Sequence, residues 1–160
     1  MTYAQSDIPW PVNGLDPVRR LHVLAAGVRG AQVSERLIEA PVERVWPLLA
    51  DLEGGLGSVL PDMRGVRVTR RDGEEVTAVA RSKYGFRARL EGVQRPGWCW
   101  LQSRFLLVGV AAVAEGEGTR VALTGGVRVP GRAALVPVGV GRSGRRSLDR
   151  LSALFDPSGV

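Results

Sequence analysis

Between residues 64 and 128 the chain has strand character, and in 74–83 and 86–91 apolar and polar positions alternate with a period of two, the spacing of a half-buried strand. Breaks at Asp72-Gly73, Tyr84-Gly85, Pro96-Gly97 and the EGEG run of 115–118 divide the stretch. The pattern predicts strands over 64–71, 74–83, 86–94, 98–104, 106–114 and 119–128. Asp-Gly is a strong hairpin signal, and Gly116 or Gly118 can supply the positive φ of the last turn. Connections this short make neighbours antiparallel. Within 74–83, Val76, Ala78 and Ala80 share one face, and Glu75, Thr77, Arg81 and Lys83 the other. Phe86, Ala88 and Leu90 likewise oppose Arg87, Arg89 and Glu91. A sheet with one wet and one buried face follows. Ala78, Ala80, Ala88 and, depending on register, Gly109 and Ala111 leave room on the buried face, either for a closely packed element or for a cavity.

Outside the meander the period changes to that of helices. Asp16-Pro17 caps a helix running to about Val28, with Val18, Leu21, Leu24 and Ala25 on its apolar face. Val33 to Ile38 reads as a strand, and Ala40-Pro41 then opens a helix striped by Val42, Val45, Trp46 and Leu49. Pro47 either kinks this helix or moves its start, and Leu56 to Leu60 suits a further short turn. At the C-terminal end Leu148, Leu151, Leu154 and Phe155 mark a helix with Arg150 opposite. Pro137 and glycines 139, 141 and 144 are costly in a helix interior, so regular helix is expected only from near Ser143. The GVGRSG spelling of 139–144 imitates a dinucleotide turn, which needs a following strand and an acid about 20 residues on. After Gly144 only 16 residues remain, and Arg145-Arg146 stands where a P-loop needs Lys-Ser or Lys-Thr, so both nucleotide readings fail. Strand, helices, six strands and a closing helix make an α+β layout.

Three stretches carry a family likeness: EAPVERVWPLLADLE at 39–53, GTRVAL at 118–123 and LDRLSALF at 148–155. Over residues 31–155 the chain resembles the START-like, or SRPBCC, superfamily in its polyketide cyclase/dehydrase and lipid-transport group. The resemblance implies a helix-grip fold, a curved antiparallel sheet wrapped around a long C-terminal helix with an internal apolar cavity. It divides the chain into an N-terminal extension (1–30), a helix-grip domain (31–156) and a tail (157–160). GGLGSVL follows Asp51 where many relatives carry an aromatic, so that wall of the pocket is expected to differ. The glycine-rich stretch before the last helix would fall at the pocket mouth, as a mobile gate or loosened shoulder.

Composition narrows the chemistry. No apolar run approaches the roughly 20 residues of a membrane span. The N-terminus lacks the basic-then-apolar pattern of a signal peptide, and Cys99 is the lone cysteine, so a cytoplasmic protein is expected. The net charge of +6 comes from 21 arginines and Lys83, interleaved with acids, which suits a solvated surface better than a polyanion site. His22, the one histidine, lies in the extension, so a Ser-His-Asp triad or a multi-histidine metal site in the domain is excluded. No metal or other cofactor is expected. The candidate pocket lining comprises Trp46, Leu60, Val76, Ala78, Ala80, Phe86, Ala88 and Leu90, with Trp98, Trp100, Gln102 and Val140.

Two functions compete. The first is binding of a hydrophobic or amphipathic small molecule (lipid, isoprenoid or polyketide-like) without chemistry. The second is a polyketide cyclase or aromatase, in which Arg104, Tyr84 or Ser82 polarises carbonyls. A basic adaptor at a membrane or polyanion surface ranks below both. The expected partner is a hydrophobic small molecule; a specific nucleic acid and stable membrane insertion are not expected, and homo-oligomerisation is left open.

Overall fold

The computed structural model describes residues 15–59, 63–128, 135–136 and 142–156. Helix α1 spans Pro17–Ala26 and strand β1 Val33–Ile38; α2 spans Val42–Ala50. A π-helical turn, Leu52–Leu56, leads into the short α3, Gly57–Val59. The meander follows as β2 (Met63–Asp72), β3 (Glu75–Ser82), β4 (Arg87–Arg95), β5 (Trp98–Gln102), β6 (Leu106–Glu115) and β7 (Gly118–Arg128). A two-residue strand β8 (Leu135–Val136) precedes α4 (Arg142–Leu154). The sheet order is β1-β7-β6-β5-β4-β3-β2, antiparallel throughout, with β8 pairing β7. The molecule is an α+β helix-grip protein with a curved sheet and a C-terminal helix.

Each predicted strand exists, with ends displaced by turn chemistry. Strand β5 stops at Gln102 because the Ser103 hydroxyl accepts hydrogen bonds from the backbone N–H of Phe105 and Leu106, 3.1 and 2.9 Å away. Arg104 therefore lies in the turn and not on the strand. Gly116 takes the positive φ, at 59°, that the β6–β7 turn requires. Helix α2 keeps Pro47 inside it, near the C-terminal end, where the ring is exposed. Helix α4 begins at Arg142, one residue before the expected Ser143, with Gly144 buried inside it. Of the stretch expected to loosen its start, residues 137–141 lie outside the described residues.

The expectation of one wet face is corrected. The sheet carries apolar clusters on both sides. On the inner face, Ile38, Val76, Ala78, Leu90, Leu101 and Val110 share a cluster with Val45 and Leu49 of α2 and Leu148 and Leu151 of α4. On the outer face, α1 lays Val18 and Leu21 over Trp98, Ala111 and Ala122. Gly109 makes this approach possible: a Cβ there would stand 2.9 Å from Leu21 Cδ1 and 3.1 Å from Trp100 Cε3. The small residues Gly109 and Ala111 thus receive a helix and leave no cavity. Leu24, expected on the buried stripe of α1, is exposed.

Polar contacts pin both layers. His22 Nε2 on α1 lies 2.6 Å from Glu35 Oε1 on β1. Arg120 of β7 donates to Glu35 at 3.3 Å and to Glu115 at 2.8 Å, which holds the Glu115 carboxyl below its ordinary pKa. On the inner side Arg36 of β1 forms an ion pair with Asp149 of α4, tying the edge strand to the closing helix.

Candidate functional site

The inner face is built by register. Ala78 faces Leu90 across β3–β4, Ala80 faces Ala88, and Gly92 faces Leu101 across β4–β5. Parity then sends Val76, Ala78, Ala80, Ala88 and Leu90 inward with Cys99 and Leu101, and Val110 and Ala112 continue the face on β6. Trp46 of α2 packs half-buried against this cluster. Helix α4 packs on β1, β7 and α3, toward one side of the face. The small side chains of β3 and β4 lie on the other side.

Among the described residues of β3 to β6, Cys99 is the one ionisable side chain turned inward, and burial pushes its thiol up to about 12. It is a neutral, weakly polar group at physiological pH and not an activated nucleophile. The Thr119 hydroxyl is already committed, donating to the Ala40 carbonyl at 2.7 Å. At one end of the face Gln94 is held twice. Its Nε2 donates to the Ala50 carbonyl, and its Oε1 accepts from Arg71 Nη1, both at 2.7 Å. This face is apolar, and it offers no strong acid–base pair among the described side chains. The described residues also contain no group of three or more potential metal ligands.

Several predicted lining residues stand elsewhere. Trp98 and Trp100 belong to the outer cluster beneath α1, where Arg20 lies 5.9 Å from the Trp98 ring centroid. Gln102, on the same parity, is exposed. The strand WCWLQ is apolar on both sides because both sides are covered, so alternation alone could not tell inside from outside. Cys99 and Leu101 were missed for that reason. Phe86 has the parity of Ala88 but sits in the β3–β4 turn, 76% exposed. Tyr84 is 70% exposed in the same turn. The Ser82 hydroxyl accepts from the backbone N–H of Tyr84 and Phe86, at 3.2 and 3.1 Å, so it works as a turn cap. Arg104 is exposed in the β5–β6 turn. Leu60 and Val140 lie outside the described residues.

A concavity of about 460 Å³ opens over β2, β3 and β4. It is lined by Arg70, Asp72, Thr77, Arg89 and Glu91, whose charges are mutually paired at 3.8 Å (Arg70–Asp72) and 2.9 Å (Arg89–Glu91).

Solved structures share this architecture. A protein of Thermus thermophilus is 24% identical, with a TM-score of 0.55, over 76% of this chain and 94% of its own. A protein of Nitrosospira multiformis is 16% identical with a TM-score of 0.60, over 81% of this chain and 98% of its own. The Zhui aromatase/cyclase of Streptomyces sp. R1128 is 16% identical with a TM-score of 0.51, over 76% of this chain and 86% of its own. No protein-family model matches the chain, and no curated protein matches it. The helix-grip fold is therefore shared with these structures. No helix among the described residues is long and apolar enough to cross a membrane.

Proposed function

We propose that the chain holds a hydrophobic or amphipathic small molecule, such as a lipid, an isoprenoid or a polyketide-like chain, against the inner face of the sheet, without transforming it. The observation that carries this reading is the combination of small apolar residues on β3 and β4 with a near absence of inward ionisable groups among the described residues. Ala78, Ala80 and Ala88 keep the floor low, and α4 lies to one side over β1 and β7. Burial of ligand surface would supply the driving force, at about 25 cal/mol per Å² before the costs of association.

The cyclase reading draws support from the shared fold of the Streptomyces aromatase/cyclase. Its candidate groups fit poorly. Arg104 and Tyr84 are exposed in turns, and the Ser82 hydroxyl is occupied by two backbone donors. Binding without chemistry is the better supported of the two.

The test pairs native mass spectrometry with a fluorescent apolar probe, N-phenyl-1-naphthylamine. The wild-type chain is expected to carry or take up an apolar molecule and to brighten the probe. Ala88→Leu, at a half-buried position on the same face, should dim that signal with an unchanged circular dichroism spectrum. A wild-type chain that neither carries a ligand nor brightens the probe ends the reading.

A further inference from the structure

Five side chains of two neighbouring turns stand apart from everything above. The β3–β4 turn exposes Tyr84 at 70% and Phe86 at 76%, and the β5–β6 turn exposes Phe105 at 51%. Lys83 lies over the Tyr84 ring, 5.1 Å from its centroid, and Arg104 precedes Phe105. Antiparallel order sends both turns to the same end of the sheet, two strands apart. The pairing of Glu91 with Gln102 leaves β4 running on to Arg87, four residues past the end of β5. At strand rise this places the β3–β4 turn about 13 Å further out. It is a projecting tip with the second turn beside its base.

The two turns and the strand ends that carry them are basic in sequence. Residues 81–90 contain no Asp or Glu, and neither do residues 99–114. Arg81 and Arg87 face each other across the last pair of β3 and β4. They and Arg104 make no ion pair among the described residues, whereas Arg89, further down the strand, is bound to Glu91. Arg95–Glu74 and Arg120–Glu115 are matched pairs elsewhere on the exposed surface. Exposed phenylalanines have no polar end to satisfy, and two at projecting turns, flanked by unmatched arginines, are complementary to one kind of surface. Aromatic rings settle at the boundary between headgroups and acyl chains, and flanking Lys and Arg meet anionic headgroups.

We propose that the β3–β4 and β5–β6 turns form a peripheral docking site for an anionic lipid bilayer, with Phe86 and Phe105 entering the interface and Arg81, Arg87 and Arg104 engaging its phosphates. A nucleic acid fits less well. Sequence-tolerant binding of single strands stacks bases on a groove or sheet platform, and here the aromatics stand on tips. The site requires no ligand in the interior, so it stands or falls independently of the proposed function.

Co-sedimentation of the full chain with vesicles tests it. Binding is expected to phosphatidylcholine vesicles containing about 30% phosphatidylglycerol and to be at least roughly tenfold weaker on pure phosphatidylcholine. Phe86→Ser with Phe105→Ser, at positions already in water and therefore compatible with folding, should weaken binding to the anionic vesicles by roughly tenfold. Arg81→Glu with Arg87→Glu should weaken it and flatten its salt dependence. Failure of the wild-type chain to sediment with anionic vesicles at low salt overturns the proposal. So does equal binding by the double serine variant. Binding to a single-stranded oligonucleotide that exceeds binding to the vesicles would reassign the cluster to a polyanion site.

Discussion

Cys99 shows how position decides chemistry at the residue scale. Its thiol is fully buried among aliphatic side chains of the inner face, and loss of hydration there raises its pKa from an ordinary value near 9.0 to about 12. The folded chain therefore keeps the proton at a pH where the unfolded chain releases it. With the folded pKa raised, the stabilising contribution is complete below the unfolded value and is lost as pH climbs from about 9 toward about 12. Urea midpoints measured across that window should fall with pH, and the slope should be shallower in Cys99→Ala. A thiol reagent at pH 8 should label the native protein slowly and the unfolded protein completely. Rapid native labelling would place the thiol in contact with water.

At the scale of elements, the feature that the sequence did not announce is where α1 packs. A helix from the N-terminal extension covers part of the sheet's outer face and turns two tryptophans into buried or half-buried groups. Leu21 is its anchor, wholly buried and seated above Gly109. Leu21→Ala leaves a void beneath the helix and should cost about 2–5 kcal/mol of unfolding free energy. Tryptophan emission should move to the red under native conditions as Trp98 and Trp100 gain water. An unchanged spectrum and midpoint would mean that α1 is not held by this contact. The amphipathic pattern of 17–28 announced the helix, but its partner surface comes from strands about 75 to 105 residues later in the chain. No local signal could have matched them.

For the molecule as a whole, an occupied interior would bind the folded state alone. An apolar ligand at 100 times its dissociation constant adds about 2.7 kcal/mol. For a domain of this size that raises Tm by about 5–10 °C, readable by differential scanning calorimetry. Ala88→Leu, at a half-buried position, should lose the increment while leaving the unliganded transition in place.

The seven longer strands, their antiparallel order, the turn glycines and the amphipathic helices followed from the sequence alone, whereas the two-residue β8 did not. They depend on periodicity and on backbone conformations that neighbouring residues dictate. The inward sets of β3 and β4 were legible for the same reason, because their opposite faces are polar. Tertiary structure decided what local chemistry leaves open. It sent Trp98 and Trp100 outward, since a strand covered on both sides is apolar on both. It set Phe86, Tyr84 and Arg104 in turns, since the hydroxyls of Ser82 and Ser103 end pairing before the alternation stops. It also decided on which side of the sheet the small residues stand. Gly109 and Ala111 accommodate α1, whereas Ala78 and Ala80 line the inner face, a difference made by register and by which side of the sheet a distant segment comes to cover.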